Sequence, residues 1–369
     1  MTEVATSRAT GPGPSRAVRS GPVPPVSSGP LVSVPGGPTD QEWSAAVATI
    51  RHWAPTGRVL LVCHVNPDGD ALGSMLGTAL GLRRLGARRV QATFGGPFDV
   101  PDPYVALPGI DLLVPEEQAY PDPDLVVVFD AAAESRVGGL LDRIARARAV
   151  VVLDHHASNT RFGGINLVDA GAAATSVVAE GLLARLDVPL DADIAECLYV
   201  ALATDTGSFK FDMTTAGVHE MAARLIATGI RPGDISRRTF DSRPFEAMTL
   251  FGEVLARAEL DMAAAAGHGL VWTYATLDDL ARHGQRPYVL DGLIDPVRCV
   301  AETDVSMVVK QAAAREWAVS LRSKGAVDVS AVAVALGGGG HRLAAGFTGF
   351  GTPQEIVRDV REQLERHLI

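Results

Sequence analysis

His64, Asp68 and Asp70 fall within seven residues of one another, inside the stretch Val59–Gly81. There an aliphatic run ends in Cys63 and His64, breaks at Pro67 and resumes as a small-residue helix predicted to begin near Ala71. Two carboxylates at a helix N-terminus suit its dipole, but they repel each other, and a cation between them removes that cost. The same PDGD segment is also good turn and capping chemistry. Three further acidic or imidazole endings follow. Asp130 closes the run VVVF, Asp154-His155-His156 closes VVL, and Asp205 closes ALATD. Singly, each has a plain structural use: Asp130 as a cap, Asp205 in a turn, His155 as a satisfied core histidine. Together they would share one crevice if their strands share a carboxyl edge.

Two imidazoles and four carboxylates are too hard a set for thiolate zinc or iron–sulfur, and too rich in nitrogen for calcium. A pair of octahedral or five-coordinate divalent ions fits, manganese first, with magnesium or cobalt as substitutes. Two ions about 3.5–4 Å apart activate a water and stabilise both the entering and leaving oxygens of an in-line displacement. That is the chemistry of phosphoester or phosphoanhydride hydrolysis.

The elements that must position these groups are strands at Val59–Val62, Arg89–Phe94, Leu125–Phe129 and Ala149–Leu153. Helices are expected at Gly138–Ala147, Ala174–Leu186, Ala192–Thr204 and His219–Thr228. Continuous apolar strands alternating with helices predict an α/β fold, a mostly parallel sheet covered on both faces. Residues 1–38, with eight prolines and six glycines, read as a disordered tail. Residues 39–230 form the expected metal-binding domain, opening at a Thr39-Asp40 helix cap, and 231–260 a helical connector. Residues 261–369 form a smaller α/β domain. It holds a strand at Gly269–Tyr274, two alternating β runs within Val308–Gly325, a helix at Val327–Leu336 and an amphipathic terminal helix at Pro353–Leu368.

Charge narrows the partners. The chain has 43 acidic and 33 basic residues, a net charge of −10, whereas a protein gripping long nucleic acid usually carries basic excess. Long polymers are therefore excluded as the expected substrate, and small anions are not. No apolar run approaches the roughly 18 residues of a membrane span, so a soluble protein without a membrane partner is expected. Cys63, Cys197 and Cys299 are too scattered for a disulfide framework, in keeping with a reducing cytoplasm.

The segments VNPDGDALGS, VVVFDAA, VVLDHHASNTRFGGINLVD and ALATDTGSFKF resemble the four motifs of the DHH phosphoesterase superfamily. LRSKGAVDVSAVAVALGGGGHRLAAGF resembles its partner domain, DHHA1. The likeness spans roughly residues 45–365, and the most similar subgroup is the NrnA-type bifunctional oligoribonucleases and 3′-phosphoadenosine 5′-phosphate (PAP) phosphatases. The resemblance implies that His64, Asp68 and Asp130 hold one manganese ion, and that Asp70, Asp130, His155 and Asp205 hold a second. It implies that His156 contacts the scissile phosphate and protonates the leaving oxygen, with Asp154 orienting an imidazole.

Four consecutive glycines let backbone N–H groups approach a phosphate or ribose, and a following helix would add its dipole. By resemblance, Arg322 and His341 contact the far phosphate, and Gly339 and Gly340 line its pocket. Ser306 and Lys324 are lesser candidates, Lys324 fitting a solvated hairpin charge equally well. A substrate spanning the metals and this pocket must be short: an oligoribonucleotide of a few units, a linear dinucleotide such as pApA, or PAP. The competing functions are a cyclic di-AMP phosphodiesterase and a nucleotide-sensing module without catalysis. The family resemblance also implies a homodimer.

Overall fold

The computed structural model describes residues 36–367; the tail expected over residues 1–38 lies outside them, save for its last three positions. The first sheet is built from β1 (Val59–Cys63), β2 (Val90–Phe94), β3 (Leu125–Phe129), β4 (Ala149–Asp154) and β5 (Ile165–Val168). Its order is β2-β1-β3-β4-β5 and every pairing is parallel. In this order the crevice opens between β1 and β3, where the winding direction reverses.

Side chains alternate along each strand, so each run of valines and leucines serves two cores. Leu61, Cys63, Val127 and Phe129 face the thick helical layer, whereas Leu60, Val62, Val126 and Val128 face a thinner one. The thick layer comprises α1 (Asp40–Trp53), α2 (Gly69–Arg84), α4 (Thr175–Arg185), α5 (Ala192–Asp205) and α6 (Ala216–Ala227); α3 (Leu141–Arg146) lies in the thin one. Thr39 caps α1 through a capping box with Glu42.

Three local expectations need correction. α2 starts at Gly69 rather than Ala71, because Asp68 is its N-cap and accepts from Ala71 N at 3.0 Å. Asp70 is thereby placed in the first helical turn. The helix expected over Gly138–Ala147 is shortened to α3, since its first residues belong to a 3-10 segment, Glu134–Leu140, that is itself broken where Gly138 adopts φ 63°. β5 was not anticipated; INLV is a four-residue edge strand that pairs parallel with β4, the element just before it, and is too short to stand out as a strand by itself.

The second sheet contains β6 (Glu259–Asp261), β7 (Leu270–Ala275), β8 (Val305–Ala313), β9 (Glu316–Ser323), β10 (Gly339–His341) and β11 (Ala344–Phe350), in the order β10-β11-β9-β8-β7-β6. Only β7 and β8 run parallel within it. α11 (Val329–Ala335) and α12 (Pro353–His367) pack on one face, around Met307, Val319 and Leu321. The segment read as a connector divides between the two cores. α7 (Pro232–Thr239) contributes Ile235 to the first, while α8 (Phe245–Ala256) buries Leu250 and Val254 against Val271 and Val308 of the second. α9 (Leu277–Arg282) and α10 (Ile294–Arg298) complete that face.

The glycine run departs from expectation. Gly339 and Gly340 do not lead into a helix: they enter β10, which forms a tight antiparallel pair with β11. No helix dipole is therefore available behind His341. The hairpin places Ala344 opposite Arg322 of β9, which brings Arg322 and His341 to one edge. Among the described residues no helix is long and apolar enough to cross a membrane.

Candidate active site

Each of the chemical side chains singled out in the first domain sits where an element ends on the crevice side of the first sheet. His64 follows β1. Its Nδ1 lies 2.8 Å from Val65 O; a carbonyl can only accept, so Nδ1 carries a proton and Nε2 is the atom turned to the acids. That Nε2 is 3.4 Å from Asp130 and 3.9 Å from Asp68. Asp130 follows β3 and turns the chain with φ 55°, a left-handed conformation that Asp and Asn tolerate better than other residues with a Cβ.

His155 and His156 follow β4. His155 has Nδ1 3.2 Å from Ala172 O, and its Nε2 faces Asp205 at 3.3 Å, Asp130 at 3.6 Å and Asp70 at 3.8 Å. Asp205 is the last residue of α5 and reaches the cluster through that contact. His64, Asp68 and Asp130 thus form one group of possible ligands, and Asp70, Asp130 and His155 another, with Asp130 common to both.

The carboxylates are held unequally. Asp70 accepts from Thr175 N at 2.6 Å, Ser176 N at 3.2 Å and Ser74 Oγ at 2.9 Å. It therefore supplies the cap that Ala174 cannot give to α4. Burial, and then the charges of Asp130 and Asp205, nevertheless push its carboxyl well above the usual range. Burial also raises Asp205, to about 6, against His155 but with help from Asp130 and Asp68. For Asp130 burial is outweighed by His64 and by the other two imidazoles, and its carboxyl falls below the ordinary range. Crowded carboxylates facing the Nε2 atoms of His64 and His155 fit divalent cations, which would remove the repulsion.

Asp154, fully buried, accepts from His156 Nδ1 at 2.8 Å and from Asn159 Nδ2 at 2.6 Å. The bond to Asp154, followed by the charge of Asp130, outweighs burial and raises His156 to about 9. His341 stacks on His156 with ring centroids 4.9 Å apart, and its Nε2 is buried without a partner. Burial and the neighbouring imidazoles push His341 down to about 4, so its ring is neutral.

Arg322 and His341 line two adjoining cavities, one of about 340 Å³ that includes Asp68 and Asp205, the other of about 370 Å³ that includes Lys324. Ser306, register partner of Arg322, is fully buried with an unpartnered hydroxyl, and neither Gly339 nor Gly340 lines either cavity. Thr175, Ser74 and Asn159 had not been singled out. Their sequence signal is weak: Thr175 bonds acids 45 and 105 residues away, while Ser74 and Asn159 bond acids four and five residues before them and read locally as ordinary helix and loop polar residues.

The DHH family, N-terminal domain, matches residues 58–202, and the DHHA1 domain matches residues 273–367. The chain is 32% identical over 327 residues to the bifunctional oligoribonuclease and PAP phosphatase NrnA of Thermus thermophilus, covering 85% of this chain and 92% of that protein. It is 25% identical to the NrnA of Bacillus subtilis, with 84% and 95% covered. An exopolyphosphatase-related protein from Bacteroides fragilis shares the fold, with a TM-score of 0.77 at 22% identity, covering 89% of this chain and 97% of that one.

Proposed function

The chain belongs to the NrnA-type branch of the DHH/DHHA1 phosphoesterase family. From that premise we propose that it hydrolyses very short oligoribonucleotides and linear dinucleotides to 5′-mononucleotides, and PAP to AMP and phosphate, with two manganese ions. The observation that carries this is the meeting of the ends of β1, β3 and β4 on Asp130, with Asp205 from the end of α5 facing His155 there and His341 of the second sheet stacked on His156.

His64, Asp68 and Asp130 would hold one ion; Asp70, Asp130, His155 and Asp205 would hold the other. When bound there, the ions supply an activated water and neutralise charge on the phosphoryl oxygens. The remaining work falls to the chain. Asp154, itself clamped by Asn159, fixes the Nδ1 proton of His156, so that Nε2 is the atom that holds a proton for the leaving oxygen. Arg322 and His341 would take the remote phosphate, with Lys324 beside them, Gly339 and Gly340 shaping the hairpin edge, and Ser306 beneath Arg322. Binding energy from that remote group orients the bond to be broken, which favours ligands short enough to reach both ends. A homodimer in the cytoplasm belongs to the same proposal.

Metal-stripped protein given pApA, PAP, cyclic di-AMP or a longer RNA tests it. Manganese is expected to restore AMP release from pApA and phosphate release from PAP, with cyclic di-AMP and long RNA turned over far more slowly, as read by chromatography of products. Binding of pApA without release would make the protein a sensor, and preferential cleavage of cyclic di-AMP would make it a cyclic dinucleotide phosphodiesterase.

A second outcome concerns Thr175, whose hydroxyl donates to Asp130 at 3.0 Å while its N–H donates to Asp70. Thr175→Val is expected to weaken manganese binding by about 10–100-fold, as removal of an outer hydrogen bond to a metal ligand commonly does. Thr175→Ser should restore it. Electron paramagnetic resonance of free manganese measures this without turnover, and an unchanged affinity in Thr175→Val would remove Thr175 from the site.

A further inference from the structure

We propose that the cavity of about 370 Å³ is a nucleotide subsite in which Phe211, braced by Arg298, stacks the base of the unit that is not attacked. The surrounding cations would hold that unit's phosphate. This rests on the short-oligonucleotide reading above and adds to it a base-binding surface.

Charge gives the first argument. Lys210, Arg298, Arg322, Lys324 and Arg342 line this cavity against a single acid, Asp212. The chain as a whole is strongly acidic, at −10. Yet none of these five cations has a carboxylate within 4.0 Å among the described residues. Five cations gathered without counter-ions repel one another, and a bound polyanion relieves that.

Phe211 gives the second. It lines both cavities, so it stands on the route from Asp205 and Asp68 to the basic chamber. The Arg298 guanidinium sits 4.5 Å from its ring centroid, a cation–π contact that fixes the ring. Cations beside an aromatic surface are what single nucleotides are read by: ionic contact to the phosphate, stacking on the base.

Backbone strain gives the third. Directly after Asp205 the chain takes left-handed φ values at Gly207 (58°), Ser208 (58°) and Phe209 (63°). Side chains with a Cβ rarely adopt this conformation, and it persists where the surroundings enforce it. Here Ser208 N donates to Ala203 O at 2.7 Å, Phe209 N to Thr206 Oγ1 at 3.1 Å and Phe211 N to Thr206 O at 3.1 Å. The Phe211 ring rests on Gly207, where a Cβ would lie 2.3 Å from Cζ. The strained turn thus carries Lys210 and Phe211 from the end of α5 to the chamber wall.

The test uses the full chain loaded with manganese. Phe211→Leu is expected to raise KM for pApA by about tenfold or more, the range for losing one base–aromatic stack, with kcat little changed. In Phe211→Trp, 5′-AMP should quench the added tryptophan fluorescence saturably, relative to wild type carrying its own four tryptophans, and pApA should compete. A KM within about twofold of wild type for a folded Phe211→Leu, or no quench at AMP concentrations that inhibit turnover, overturns the proposal. If wild type fails to cleave pApA, the short-oligonucleotide reading fails separately, and the AMP quench alone then decides whether this chamber takes a nucleotide.

Discussion

Asp130→Asn is expected to lower kcat for both pApA and PAP by about a thousandfold, equivalent to about 4 kcal/mol of transition-state stabilisation. Asn is the informative choice because it keeps the side-chain shape and accepts the left-handed φ of 55° at this position. What changes is the charge. Asp130 is the hub of the cluster, facing His64 at 3.4 Å and both His155 and His156 at 3.6 Å, and accepting from Thr175 at 3.0 Å. Its surroundings hold it ionised despite burial. It is also the one carboxylate common to both proposed ion sets, so an amide there weakens both ions at once. Steady-state assays at saturating manganese, with a melting curve to confirm folding, measure the effect. Loss with one substrate alone would mean that the two reactions do not share a centre. Activity within about tenfold of wild type would mean that the cluster is not where phosphorus chemistry occurs.

The site was legible because its parts lie at element ends. A buried strand such as LVVVF followed at once by Asp is energetically awkward unless that acid has a task, and four such endings point to one crevice. Strand runs were legible for the same reason: β1, β3 and β4 are buried on both faces and therefore read as unbroken apolar stretches.

What escaped was non-local. β5 exists only through its pairing with β4, and INLV has too few residues to announce itself. The glycine run reads locally as a loop, yet β10 and β11 pair across Gly340 and Ala345, and β11 is held in turn by β9. That register cannot be inferred from propensity, because glycine has none for a strand. Thr175 is a small polar residue with an ordinary local role, and only the folded chain shows that it grips Asp70 and Asp130. Capping the start of α4 with Asp70 is likewise a contact across more than a hundred residues.

Gly73→Ala should destabilise the protein by about 1–3 kcal/mol, the usual cost of overpacking, and reduce kcat by up to about a hundredfold, as a misplacement near 1 Å can. On propensity alone the sign should be opposite, since Ala is favoured over Gly in a helix interior by about 1 kcal/mol. The difference lies in α5. A Cβ on Gly73 would fall 2.4 Å from the carbonyl oxygen of Cys197 and 2.9 Å from the Ala201 Cβ, neither of which can swing aside. The two helices would have to separate. α2 carries Asp68 and Asp70 at its N-terminus, and α5 carries Asp205 at its C-terminus, so separation pulls apart the acids that face His155. Gly252→Ala in α8 supplies the contrast: nothing lies within 4 Å of a Cβ there, so stability should rise by up to about 1 kcal/mol. Thermal melts of both variants, read beside kcat, check the pair. A Gly73→Ala protein as stable and active as wild type would mean that helix spacing does not set the geometry of the carboxylate cluster.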